Sequence, residues 1–134
     1  MTRKYVHHIC IQTNTYKESL QFYQEALGFE LIQETPHFHQ RKFNTWLRLD
    51  SFYIELQTGK AGELLDPPNA NAQGLVHLCL WVENLEAELQ RVKSLGYRVK
   101  MKDGQEIYTV ENGRLLKLLA PEGTIIELRD NQGI

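Results

Sequence analysis

The sequence predicts an α+β fold made of two tandem βαβββ modules that form a partly closed barrel or cleft. Three observations predict it. An apolar run with a histidine, then a cysteine two residues on, occurs at Tyr5-Val6-His7-His8-Ile9-Cys10-Ile11 and again at Leu75-Val76-His77-Leu78-Cys79-Leu80-Trp81. Each run leads into a helix-like segment that stops at a glycine followed by an aromatic residue, Gly28-Phe29 and Gly96-Tyr97. Each half then closes on the tripeptide Ile-Glu-Leu, at Ile54-Glu55-Leu56 and Ile126-Glu127-Leu128. The offsets are 69 residues from His8 to His77 and from Cys10 to Cys79, 68 between the glycines and 72 between the glutamates. Ordered markers at a near-constant offset identify an internal repeat, and a repeat decides the fold.

In the first module, Tyr5 to Gln12 alternates as a strand does. Ile9 and Ile11 share one face; Val6, His8, Cys10 and Gln12 share the other. Thr15-Tyr16-Lys17-Glu18 has the form of a capping box, so a helix should start there. Tyr16, Leu20, Tyr23, Ala26 and Leu27 recur at helical spacing and make its core-facing stripe. Gly28 ends it, because glycine enters the left-handed region without a steric cost. Glu30 to Glu34 reads as a strand that Pro36 should cut short. Lys42 to Leu49 and Phe52 to Thr58 read as two strands joined at Asp50-Ser51. In the last of them Phe52, Ile54 and Leu56 face one way, and Tyr53, Glu55 and Gln57 the other.

The stretch from 59 to 73 holds Asp66-Pro67-Pro68-Asn69 and carries no periodicity, so it is a linker between module 4–58 and module 74–131 of a single domain. In the second module Leu75 to Val82 is the strand bearing His77, and Asn84 is placed to cap the helix that follows. Leu85, Leu89, Val92 and Leu95 form its stripe. Tyr97 to Met101 and Gln105 to Val110 should be strands about a Lys102-Asp103-Gly104 turn. Leu115 to Leu119 and Thr124 to Arg129 should complete the sheet, with Ile125, Glu127 and Arg129 on one face.

Bulk properties exclude several classes of function. With 134 residues, 42% hydrophobic and 24% charged, the chain is an ordinary globular domain. A formal charge of −2 leaves no basic footprint for nucleic acid. No apolar run approaches the roughly 20 residues of a membrane span. The N-terminal residues have no signal-peptide core, and two cysteines without such a signal read as reduced thiols. A cytoplasmic protein acting on a small molecule is the expectation.

A module of this kind covers one face of its sheet with the helix and leaves the other bare. Two bare faces could close into a cleft, toward which His8, Glu55, His77 and Glu127 would point. Two imidazoles and two carboxylates suit one first-row divalent metal, zinc or nickel first, with cobalt, manganese and iron as further candidates. The competing reading makes each histidine a satisfied rim residue and pairs each glutamate with an arginine such as Arg48 or Arg129. Any single position favours that reading; four at repeat-related positions favour the metal.

These residues carry a resemblance. The His8 strand followed by Phe22-Tyr23 and Leu27-Gly28-Phe29, the His77 strand with Val82-Glu83-Asn84-Leu85, and Pro121-Glu122-Gly123 before Ile126-Glu127-Leu128 resemble the vicinal oxygen chelate superfamily. That superfamily holds glyoxalase I, fosfomycin and bleomycin resistance proteins, methylmalonyl-CoA epimerase and extradiol dioxygenases. Within it, one histidine and one glutamate per module is the glyoxalase I-like ligand pattern, which maps onto His8, Glu55, His77 and Glu127. The fosfomycin-modifying members and the dioxygenases use two histidines and one glutamate, and epimerases usually have glutamine where Glu55 stands.

The resemblance implies a metal-dependent lyase or isomerase acting on a small hemithioacetal or α-oxo substrate through a metal-stabilised enediolate, with Glu127 as the base. Alternatives are a non-catalytic small-molecule binding or resistance protein, or a thiol transferase or dioxygenase of the same superfamily. Glutathione-using bacterial relatives carry an arginine four residues after the first ligand. Gln12 stands there instead, which argues against glutathione. Members commonly dimerise, so a homodimer is expected.

Gln12, Trp46, Trp81 and Tyr108 are candidates for the substrate wall. His37 and His39, two apart, would share a strand face; a polar strand edge is the favoured reading over a second metal site. His7 has the opposite parity from His8 and should pack or cap. Cys10 and Cys79 should be small buried side chains, too far along their strands to join the metal.

Overall fold

The computed structural model describes residues 2–134. The chain divides into two compact units, 1–66 and 67–134, with the boundary inside the 59–73 linker. Two sheets of four and five strands, each with one helix, make an α+β architecture.

In the first unit β1 (His8–Thr13), α1 (Tyr16–Glu25), β2 (Glu30–Phe38), β3 (Arg41–Leu49) and β4 (Phe52–Thr58) follow one another. The sheet order is β1-β4-β3-β2, with β1 parallel to β4 and the other pairs antiparallel. Alternation decides the faces. Ile11, Leu47, Ile54 and Leu56 are buried with Phe22, Tyr23, Ala26 and Leu27 of the helical segment. His8, Cys10 and Gln12 stand exposed on the opposite face.

The capping box at Thr15 does not form, since its side chain makes no capping bond. Thr13, one strand repeat earlier, takes over. Its hydroxyl accepts from the Thr15 amide at 2.9 Å and pairs with the buried Ser19 hydroxyl at 2.8 Å. Pro36 does not cut β2 short either. The strand runs to Phe38 because β2 is an edge strand, where a missing N–H costs no ladder bond.

The second unit repeats the plan with β5 (His77–Trp81), α2 (Leu85–Ser94), β6 (Arg98–Lys100), β7 (Tyr108–Val110), β8 (Gly113–Leu119) and β9 (Ile125–Arg129). β5 is parallel to β9, and β9, β6 and β7 all pair with β8 antiparallel. β6 and β7 together take the place that the continuous β2 holds in the first unit. The residues between them form a loop around the Lys102-Asp103-Gly104 turn, where Asp103 and Gly104 both take positive φ (51° and 77°). Asn84 caps α2 as expected, its side chain accepting from the Ala87 amide at 2.9 Å. Leu85, Leu89 and Val92 are buried against Leu116, Leu118, Ile126 and Leu128, whereas Leu95 is exposed. Among the described residues no helix is long and apolar enough to cross a membrane.

Candidate metal centre

The parallel pairing of the first and last strands of each unit builds the site. In the first unit Cys10 lies level with Glu55 and His8 level with Tyr53, so His8 and Glu55 are diagonal neighbours on the uncovered face. His8 Nε2 is 3.9 Å from Glu55 Oε1. In the second unit Cys79 lies level with Glu127 and His77 level with Ile125. His77 Nε2 is 3.4 Å from Glu127 Oε2. The same diagonal therefore occurs twice, at the positions the repeat marks in the sequence.

The ion-pair alternative fails for both glutamates. Arg48 pairs with Glu30 at 3.0 Å, and Arg129 donates from Nε to the side-chain oxygen of Asn131 at 3.2 Å. Among the described residues each glutamate faces a histidine instead.

The donor set can be tested for fit. Bonds of about 2.0–2.2 Å from nitrogen and oxygen to a divalent ion put neighbouring donors roughly 3.0–3.5 Å apart. The His77–Glu127 pair already has that spacing, and the His8–Glu55 pair needs a closure of a few tenths of an ångström. Among the described residues no third histidine, cysteine or carboxylate gathers with either pair into a metal-holding group. Each unit thus supplies two donors, which is half of a four-donor set.

Neighbouring side chains hold the first pair. Asn44, 2% exposed, donates from its amide nitrogen to Glu55 Oε2 at 3.1 Å, leaving Oε1 for His8. His7 packs as expected: its ring stacks on Tyr53 at 5.1 Å, and its Nδ1 lies 2.9 Å from His8 Nδ1. A proton on His8 Nδ1 shared with His7 leaves His8 Nε2 free as an acceptor, the tautomer a metal ligand needs. Trp46 meets the His8 ring edge-on at 4.9 Å.

Glu127 is the more enclosed carboxylate, 7% exposed, and lines a cavity of about 710 Å³. His77 and Tyr108 line the same cavity. Partial burial, and then the Glu127 charge, push the Tyr108 phenol up, which keeps its hydroxyl a donor. Trp81 is half exposed; it lines a neighbouring cavity of about 390 Å³, and its indole N–H donates to the Asp130 carbonyl at 3.1 Å.

Two expectations need correction. Cys10 and Cys79 are exposed, because they share the uncovered face with the histidines. Desolvation on that face and then the neighbouring Glu55 or Glu127 push both thiols up to about 11. His37 and His39 do not share a strand face. Both take positive φ (56° and 44°), and His39 lies beyond the end of β2.

Arg41 and Asn44 escaped the sequence reading. Arg41 donates to the Gln12 side chain at 2.8 Å and to the Thr58 carbonyl at 2.6 Å, so a cation does stand beside Gln12, delivered by β3. Parity along Arg41 to Leu49 was the available signal for Asn44, since Asn44 and Trp46 fall on the Glu55 face.

Comparison with known proteins agrees with this architecture. Uncharacterized protein YwkD of Bacillus subtilis (strain 168) is 35% identical over 101 residues, covering 72% of this chain and 75% of that protein. The crystal structure of a glyoxalase family protein from Enterococcus faecalis superposes with a TM-score of 0.79 at 24% identity, covering 95% of this chain and 98% of that one. A mutant of the fosfomycin resistance protein FosX from Listeria monocytogenes, complexed with Mn(II) and 1S,2S-dihydroxypropylphosphonic acid, shares the fold. Its TM-score is 0.75 at 15% identity, covering 98% of this chain and 95% of that one. The model of the Glyoxalase/Bleomycin resistance protein/Dioxygenase superfamily matches residues 7–114, and the chain belongs to that superfamily.

Proposed function

We propose that the protein is a metal-dependent lyase or isomerase of the glyoxalase I type, acting on a small hemithioacetal or α-oxo compound. One observation carries the reading: the same His–Glu diagonal recurs on the uncovered face of each unit, at 3.9 Å and 3.4 Å, with no arginine ion-paired to either glutamate among the described residues. His8, Glu55, His77 and Glu127 would hold one divalent ion, zinc or nickel in the first instance. The Mn(II) complex of FosX supports a divalent metal on this fold. The two donor pairs would meet in a single domain of modules 4–58 and 74–131, within one chain or across a homodimer.

When bound, the ion supplies Lewis-acid stabilisation of negative charge on vicinal substrate oxygens. The side chains do the rest. His8 and His77 bind as neutral imidazoles, His8 being oriented by His7. Asn44 holds Glu55 by one oxygen, which fits a fixed ligand. Among the described residues Glu127 has no amide donor like Asn44; its carboxylate faces His77 and the Cys79 thiol and would take the carbon-bound proton as general base.

Elemental analysis of protein purified without chelator tests this reading, together with lyase assays on methylglyoxal and different thiols. The expected result is about one first-row divalent ion per chain, lost with activity on chelation and recovered on reloading. Protein that cannot be loaded with zinc or nickel supports the second reading, a small-molecule binding or resistance protein.

A further inference from the structure

We infer that the cavity of the second module binds a small oxyanion, a carboxylate or phosphate group of the substrate, through Lys100, Lys117 and Lys102. As a substrate subsite this rests on the function proposed above; as an anion site it stands alone.

The register of the second sheet sets out the argument. Lys100 lies level with Lys117, Lys117 level with Glu127, and Glu127 level with Cys79. Residues level with one another on neighbouring strands share a face. Two ammonium groups therefore stand in the row of the proposed base, on its side of the sheet. Lys102 reaches the same cavity from the loop between β6 and β7, its Nζ 5.4 Å from the centre of the Tyr108 ring. Arg129 lines the cavity as well.

Among the described residues no carboxylate lies within ion-pairing distance of Lys100, Lys102 or Lys117. The contrast is with Arg114, on the same strand as Lys117 but on the helix side of the sheet, which is paired with both Glu86 and Asp130. Four cationic side chains and two carboxylate side chains, Glu111 and Glu127, line this cavity of a chain whose net charge is −2. Like charges gathered in a concavity repel unless an anion joins them, and the cavity's 710 Å³ is of small-ligand size. Tyr108 lines the same cavity and adds a hydroxyl to it. A net charge of −2 gives the chain no basic footprint, so a small anion fits the cluster and a polyanion does not.

The first module shows the feature is not a by-product of the fold. There the corresponding row is Gln33, Trp46, Glu55 and Cys10, with no cation in it. The glutamate and the cysteine recur, and the two lysines do not.

The test titrates the full chain, metal-free and zinc-loaded, with inorganic phosphate and separately with acetate at constant ionic strength, following backbone amide shifts. Saturable shifts should centre on β6 and β8, and the anion that saturates at lower concentration tells phosphate from carboxylate. Lys117→Gln and Lys102→Gln should each weaken binding about tenfold, as loss of one charge-assisted bond does, with zinc uptake unchanged. Lys17→Gln on α1 should change nothing. Lys102 lies outside the sheet, so its variant keeps the test valid if Lys117→Gln misfolds. Absence of saturation by both anions, or equal weakening by Lys17→Gln, overturns the inference. If phosphate or acetate binds while zinc never does, the anion site stands and the metal function falls; if zinc binds and neither anion does, the reverse holds.

Discussion

The two modules agree in one row of side chains and differ in the rows beside it. Each places a glutamate on its last strand level with a cysteine on its first, with a histidine diagonal to the glutamate. Around that shared diagonal the first module is aromatic and amide-rich: His7, Trp46 and Tyr53 pack about His8, and Asn44 holds Glu55. The second module is cationic, with lysines lining the cavity that Glu127 also lines. The difference teaches a division of labour. On the proposed function the duplicated row would supply donors to a metal, while the diverged rows would fix one glutamate as a ligand and leave the other to move a proton.

The largest effect expected from this asymmetry is on the two glutamates. Glu127→Gln keeps the side-chain volume and removes the proposed base, so turnover should fall by at least the ~10²–10⁴-fold of general-base catalysis. Metal binding should weaken moderately. Glu55→Gln should lose far less turnover, because its amide oxygen can still ligate and Asn44 Oδ1, which has no partner among the described residues, can turn to accept from its NH2. Steady-state rates, metal content and melting temperature of both variants check this side by side. Equal losses at Glu55 and Glu127 would remove the division of labour.

A smaller effect is expected at Asn44. Asn44→Ala removes the only amide donor to Glu55 among the described residues, and changes to such outer partners cost roughly 10–100-fold in metal affinity. The second module has no counterpart, since Leu115 occupies the corresponding register position. A metal titration of Asn44→Ala against wild type gives the answer; unchanged affinity would mean that Glu55 needs no support.

The smallest effect concerns the thiols, where the modules should behave alike. Both are pushed up to about 11, so at neutral pH Cys10 and Cys79 are protonated although exposed. The raised value favours the folded state below the ordinary thiol pKa near 9, and that contribution is lost as pH rises toward 11. Alkylation in the folded protein should be slower than in denaturant at pH 8 and should accelerate up to about pH 11 at both sites. A fast reaction at one cysteine alone would break the equivalence.

Much of this was legible in the sequence because burial writes alternation into strands. Ile9 and Ile11 against His8 and Cys10, or Ile54 and Leu56 against Glu55, separate the faces without any structure. The repeat then doubles each signal. What was not legible depends on register between strands distant in sequence. Asn44 meets Glu55 because β3 and β4 pair with Trp46 level with Glu55, and Lys100 joins Lys117 only through the β6–β8 pairing. Edge position was hidden too, which is why Pro36 looked like a strand end. The thiols were misjudged because cysteine is so often buried; here face membership, already visible from His8 parity, overrides residue type.

The central claim is that one ion is shared by donors from both modules. Zinc stoichiometry by equilibrium titration of wild type, His8→Ala and His77→Ala tests it most directly. A shared ion predicts one zinc per chain in the wild type, with each single substitution, in either module, abolishing tight binding. Two zinc ions per chain, with each substitution removing one and leaving the other at wild-type affinity, would contradict it.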